Sequence, residues 1–318
     1  MPYDRTDTPE TLPVTPLKAT PAVWVRMLAR IANNTARSLR GAALLALKPK
    51  GAKAPCPPVH LTDLPPDRQT FHHWNESFPM AHGLEPVTLV HIGKCGGTSI
   101  RRSFVEAGID VHELHMRKAP LDASRRYVVW VRDPIKRFIS AFNHSKSICQ
   151  FDVSGMAPGS ATLANCPAPM RIETKIRTGR AYPDEYEYLM AQFETANDLA
   201  ESLYGPDLTR RVLAHLLMRM PDEHMNKGIG WHLHNGAWVD VYRDNIAAVG
   251  RVEQFDADFG AMIDDMGLGL DVPLRHTRMH KANLPTALSE TAVANLKRFY
   301  RNTDYKTLDT LKRHGFLP

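Results

Sequence analysis

The chain has 318 residues, 43% hydrophobic and 23% charged, which excludes a wholly disordered polymer and leaves room for one large α/β domain or two small ones. Lys and Arg number 40 against 34 Asp and Glu, a net charge of +6 that hints at an anionic ligand without naming it. No apolar run approaches the roughly 18 residues of a membrane span, and four cysteines at 56, 95, 149 and 166 make neither a disulfide framework nor a CxxC zinc site.

The first segment holds much of the charge. Between Glu10 and Asp63 there are eight basic residues and no acidic one. Prolines at 2, 9, 13, 16 and 21 interrupt residues 1–20, which read as a flexible arm. From Pro21 to about Leu47 the pattern is helical, with Val23, Met27, Leu28, Ile31 and Leu39 on an apolar stripe beside arginines. Two readings stand for this helix: an anchor on anionic lipid or a partner through residues 18–53, or a solvated basic helix packed on its own domain. Pro55, Pro57, Pro58, Pro65 and Pro66 mark a linker. Residues 1–66 therefore form a basic arm and 67–318 a folded domain. No secretory signal is evident, so a cytoplasmic protein is expected, peripheral to a membrane if the arm binds lipid.

Val87–Ile92 is a short β-branched run ended by glycine and predicts a buried strand. A helix follows over about 98–107, then strands over Val111–Met116 and Tyr127–Val131. Asp133 and Pro134 suit N-cap and N1 of a helix whose buried face carries Ile135, Phe138, Ile139 and Phe142. Residues 145–182 lack periodicity and read as an inserted loop. Helices are expected over 184–204, 207–219 and 256–267, with a strand near Ala247–Val252. Closing helices cover 286–301 and 304–314, with Ser289 a candidate N-cap and Gly315 a stop. Strands alternating with helices predict an α/β fold, a central parallel sheet flanked by helices.

Two segments carry chemistry. His91-Ile-Gly-Lys-Cys-Gly-Gly-Thr-Ser99 lies between a strand and a helix. Glycines admit close backbone approach, and a helix start offers unpaired N–H groups and a positive dipole end to phosphate or sulfate. Lys94 adds charge, and Thr98 and Ser99 add hydroxyls. A Walker A loop would place lysine directly before Ser or Thr, whereas here it precedes the glycine pair. The second segment, Arg132-Asp-Pro-Ile-Lys-Arg-Phe-Ile-Ser140, puts Arg132 at the C-terminal end of a strand, where ligands of open α/β sheets gather. Ser140 lies two helical turns on, so the pair suits one phosphate. Asp133 reads as a cap and Arg137 as a surface residue.

Together the two segments resemble the sulfotransferase superfamily, in its carbohydrate branch. The first is similar to the 5′-phosphosulfate loop Pro-Lys-Thr-Gly-Gly-Thr-Ser, with Gly93 for proline and Cys95 for threonine. The second is similar to the 3′-phosphate motif Arg-Asp-Pro-x-x-Arg-x-x-Ser. Val249–Phe255 and Tyr300…Asp304-Tyr305 resemble the branch more loosely, and the likeness spans about residues 86–314. It implies a three-layer P-loop-like fold and transfer of a sulfuryl group from 3′-phosphoadenosine-5′-phosphosulfate to a carbohydrate hydroxyl, without a metal. Lys94 would stabilise the leaving oxygen. Cys95, Gly96, Gly97, Thr98 and Ser99 would cradle the 5′-phosphate, and Arg132 and Ser140 would bind the 3′-phosphate. A late basic loop often covers the nucleotide in this family, which adds Arg278 and Lys281.

An acceptor hydroxyl needs a general base, and histidine titrates near working pH. Related enzymes place one on the strand between the two motifs. Here Val111–Met116 offers His112, Glu113 and His115. Period-two alternation puts 113 and 115 on one face and 112 on the other. Leu114 and Met116 make the His112 face look the more buried. His115 is thus the first choice, with Glu113 as alternate base or orienting group and His112 the remaining option.

Other features have plainer readings. Cys95 near a helix start is expected to have a lowered thiol pKa, so that alkylation would block donor binding. Arg251 suits the cleft or an ion pair. His232 and His234 have a zinc-like spacing without further ligands. Asp258-Phe-Gly260 imitates a kinase triplet but lies in an expected helix. Basic residues are not interleaved with aromatics, which argues against nucleic acid. The alternatives to a sulfotransferase are a nucleotide-dependent kinase of related fold and a scaffold that binds nucleotide or membrane without catalysis.

Overall fold

The computed structural model describes residues 87–106, 111–149, 184–220, 224–265 and 284–318, and single positions between 25 and 36. Strand β1 (Val87–His91) leads into α1 (Gly97–Glu106), then β2 (Val111–His115) and β3 (Arg126–Val131). A long crossover follows: α2 (Pro134–Cys149), α3 (Asp184–Ala191), α4 (Ala196–Ser202), α5 (Leu208–Arg219), α6 (Ile229–His232) and α7 (Ala237–Tyr242). Strand β4 (Ile246–Arg251), α8 (Phe255–Asp265), α9 (Glu290–Tyr300) and α10 (Lys306–Arg313) complete the described chain.

The four strands form one parallel sheet in the order β2-β1-β3-β4. Such a sheet is covered on both sides, which explains strands as apolar as Tyr127-Val-Val-Trp-Val131. Alternation splits the side chains between two layers of helix. Val87, Leu89, Val128 and Trp130 meet Ile100 and Phe104 of α1 and Phe259 of α8. Val90, Tyr127, Val129 and Val131 meet Ile229, Trp238, Val239 and Leu311 on the other side. A third, purely helical core joins α2 to α5 and α9, with Phe138, Phe142, Phe193, Leu217 and Leu296 buried in it.

The expected α/β architecture is therefore present, and several local readings hold. Asp133 caps α2, its Oδ1 accepting from Lys136 N at 2.9 Å. Ser289 caps α9 by accepting from Ala292 N at 3.1 Å, and Gly315 ends the chain's last helix at φ 76°. Two readings change. The helix expected over 184–204 is two helices, because Thr195 Oγ1 accepts from Asp198 N at 3.1 Å and starts α4 afresh. The insert expected from 145 begins later, since α2 runs through Cys149. Its remainder, including Cys166, lies outside the described residues, as do Arg278 and Lys281.

In the basic arm, positions 25, 28, 29, 32, 33 and 36 are helical and exposed. Among the described residues no helix is long and apolar enough to cross a membrane.

Candidate functional site

In this strand order the chain leaves β1 for β2 on one side and leaves β3 for β4 on the other. The crevice at the C-terminal ends of β1 and β3 is thus a topological switch point, where open α/β sheets bind ligands. The loop after β1 holds the first motif and the loop after β3 holds Arg132. Arg132 Nη1 donates to the carbonyl of Lys94 at 3.3 Å, so the two motifs touch. Ser140 stands two turns along α2, half-buried beside the Phe138 and Phe142 face.

The first loop is tightly folded. Cys95 N donates to Ile92 O at 3.1 Å, and Ser99 N and Ile100 N donate to Gly96 O at 2.9 and 3.3 Å. Lys94, Gly96 and Thr98 are partly exposed, whereas Cys95, Gly97 and Ser99 turn inward. Lys94 holds a left-handed backbone at φ 70°, a conformation costing about 1–3 kcal/mol that recurs at functional sites. No acidic residue occupies the first turn of α1, so its dipole end is left to an anion.

The glycines answer to protein packing rather than to a ligand. A Cβ at Gly97 would stand 2.2 Å from His91 Cδ2, and one at Gly93 would stand 2.3 Å from His224 Nδ1. Gly96 has φ +78° and lies against Phe255. Gly93 thus replaces the proline of the resembling loop because the His224 ring fills that space. Cys95 is also corrected. Its side chain is fully buried beside Val90 and Ile92, and burial pushes the thiol up to about 12 despite Arg137 and Arg132 nearby. The expected lowering by the helix start does not occur, and its N–H is already spent on Ile92.

Strand β2 is buried throughout its first four positions, so burial does not separate its faces as expected. Contacts do. His112 Nδ1 meets Arg125, which also binds Asp122 at 3.0 Å. Glu113 and His115 point to the α1 side. His91 Nδ1 donates to Glu113 Oε1, and Arg101 of α1 approaches Glu113 Oε2 at 3.4 Å. The His115 ring lies 4.2 Å from that of His91 and 5.6 Å from that of His224. His144 of α2 is 5.3 Å from His224. Glu113 therefore orients His91.

His91, Glu113 and His115 place three ligand-type atoms within 4.8 Å of one another, a grouping the sequence reading did not find. Its members come from neighbouring strands in register, His91 beside His115 and Leu89 beside Glu113. The Glu113 charge is already balanced by Arg101, and His91 already uses Nδ1 on Glu113.

Three residues were misjudged or missed: Arg137, His91 and His224. Arg137, read as a surface residue, is fully buried. It donates to His224 O at 2.8 Å and pairs with Asp304 at 3.6 Å, whose Oδ1 accepts from Gly230 N at 2.8 Å. The signal was available, since position 137 falls on the 134, 138, 141, 145 stripe of α2. His91 and His224 had no local signal, because their partners are distant in sequence.

Other readings resolve simply. Arg251 is bidentate to Asp258, with both bonds at 2.8 Å, which also removes Asp258 from any kinase-like role. His232 Nδ1 donates to Arg117 O at 2.7 Å and His234 Nε2 lies 3.1 Å from Ala119 O, so the pair serves two separate carbonyls. Burial pushes His232 down to about 3.

No protein-family model matches this chain, and neither a curated protein nor a solved structure matches it.

Proposed function

We propose that this protein transfers a sulfuryl group from 3′-phosphoadenosine-5′-phosphosulfate to a hydroxyl of a carbohydrate acceptor. The observation that carries the reading is the contact between Arg132 and the Lys94 carbonyl at the β1/β3 switch point. It brings together two short motifs whose order and residue types resemble those of sulfotransferases.

In this reading the amides of Gly96, Gly97 and Thr98, with the positive end of α1, hold the 5′-phosphate. Thr98 adds its hydroxyl, and Ser99 acts from the inner side of the loop. Arg132 and Ser140 take the 3′-phosphate. The acceptor oxygen attacks sulfur in line, and the S–O bond to the 5′-phosphate breaks. The departing oxygen keeps the bonding electron pair, and Lys94 balances its new charge. The acceptor proton passes to a base. Catalysis then rests on positioning and electrostatic stabilisation.

His115 is the favoured base. It ends β2, is half-buried, and its ring lies tilted 4.2 Å from that of His91. His112 faces Arg125, and both Glu113 oxygens are engaged, which leaves these two less suited. Cys95 leaves the proposed set as a ligand and remains as the loop's inner anchor.

Calorimetry with 3′-phosphoadenosine-5′-phosphate and, separately, with ATP–magnesium tests the donor. Binding of the first alone is expected. Binding of ATP–magnesium alone would favour the kinase, and binding of neither would refute the enzyme reading. His115→Ala, with donor binding measured in parallel, tests the base: full turnover would remove His115 from the mechanism.

A further inference from the structure

Large apolar side chains rarely stand exposed without a partner, and singly they mean little. Among the described residues, five are exposed: Val25, Leu28, Val105, Leu208 and Val212. Leu28 of the basic arm and Val212 of α5 line one groove of about 430 Å³, together with Tyr204, Arg211, His215 and Arg219. Leu208, 62% exposed, lies one turn before Val212 on the same helix. Val25 lies one turn before Leu28. Four of the five therefore fall on two helical stretches that share this groove.

The side chains that line it include Arg211 and Arg219 and no acid. Helix α5 carries Arg210, Arg211 and Arg219 and no acidic residue over Leu208–Arg219. On the neighbouring α9 and the turn after it, Lys297, Arg298 and Arg301 line a second hollow with Tyr305. The two hollows adjoin. Arg298 lies 4.1 Å over the Tyr204 ring, and Arg219 lies 5.3 Å over Phe299. Nearby carboxylates are engaged locally: Asp198 with Arg210, Asp207 with the N-terminus of α5, and Glu201 with Ser289.

An apolar wedge inside a basic rim is what an anionic bilayer surface selects. Apolar side chains enter the headgroup boundary, and arginines meet the lipid phosphates. Neither signal alone holds a protein firmly, whereas the two together do. We propose that the face formed by α5 and α9, with Leu28 at its groove, docks on an anionic lipid surface. The inference does not depend on the sulfotransferase reading, since α5 and α9 pack in the helical core away from the sheet.

The test is sedimentation of the full chain with vesicles of phosphatidylcholine alone and of phosphatidylcholine mixed with phosphatidylglycerol. Binding to the mixed vesicles only is expected, weakening as salt rises. Arg211→Gln should weaken it about fivefold. Leu208→Ser with Val212→Ser should weaken it at least about tenfold, with the melting temperature unchanged because both side chains are exposed. Equal binding to both vesicles, or binding to neither, would overturn the proposal. So would unchanged lipid binding in the Leu208, Val212 double variant. Soluble polyglutamate binding as tightly as the mixed vesicles would replace lipid with an acidic protein as the partner.

Discussion

The thiol of Cys95 gives a sharp test of how the first loop is built. A loop that merely capped a helix would leave the thiol near a positive dipole end and reactive. In the folded chain it is fully buried, and its pKa is pushed up to about 12. At pH 8 a thiol of ordinary pKa near 8.5 is about one quarter thiolate, whereas a pKa of about 12 leaves about one part in ten thousand. Iodoacetamide should therefore label Cys95 in the native protein on the order of a thousandfold more slowly than in denaturant. Burial slows it further, because reagent must wait for the loop to open. Timed quenching and peptide mass mapping separate Cys95 from the other three cysteines. Native labelling within tenfold of the denatured rate would refute the packed loop. The same burial gives a pH signature. The folded pKa lies above the unfolded one, so this contribution to stability is present below about pH 8.5 and is lost as pH rises toward about 12.

Three further outcomes are expected. Gly93→Ala should cost about 1–3 kcal/mol in urea melts, because its Cβ would stand 2.3 Å from His224 Nδ1; adding His224→Ala should restore part of that, and no recovery would separate the two positions. His232, pushed down to about 3, supports stability above an unfolded pKa of about 6.5 and loses that support as pH falls, by about 2 kcal/mol at pH 5. His232→Asn keeps a donor for Arg117 O, so its urea midpoint should fall less between pH 7 and 5; an equal fall would clear His232. Arg137→Met should destabilise by about 3–5 kcal/mol, since it strands the buried Asp304 carboxylate. Asp304→Asn in that background should recover part of the loss while still accepting from Gly230 N.

Much of the fold was legible because its signals are local. Strands β1, β3 and β4 fall within a residue of the runs that predict them, and Asp133, Asp207 and Ser289 start helices as such residues do. The short helices α6 and α7 escaped notice because Gly228, Gly230 and Gly236 break their pattern. The site was legible only in its outer parts. Lys94 and Arg132 stand at the strand ends where topology puts ligands, and topology follows from the alternation of elements. The Glu113–His91 pair, the neighbouring His115 ring and the ring of His224 depend on strand register and on a segment about a hundred residues later. No window of sequence contains those contacts.

The departure at Gly93 shows how the hidden parts bear on the visible ones. The resembling loop has proline there, which fixes φ by itself. Here the backbone at 93 is held from outside, by the His224 ring against it. His224 is in turn held through its carbonyl by Arg137, which sits in the second motif and is locked to Asp304. The two motifs are thus joined twice. Arg132 meets Lys94 at the strand ends, and Arg137 reaches Gly93 through His224 on the buried side. The left-handed backbone of Lys94 lies between these two ties. A strained lysine held from both sides keeps its loop in place, which under the proposed function is the condition for electrostatic stabilisation without reorganisation.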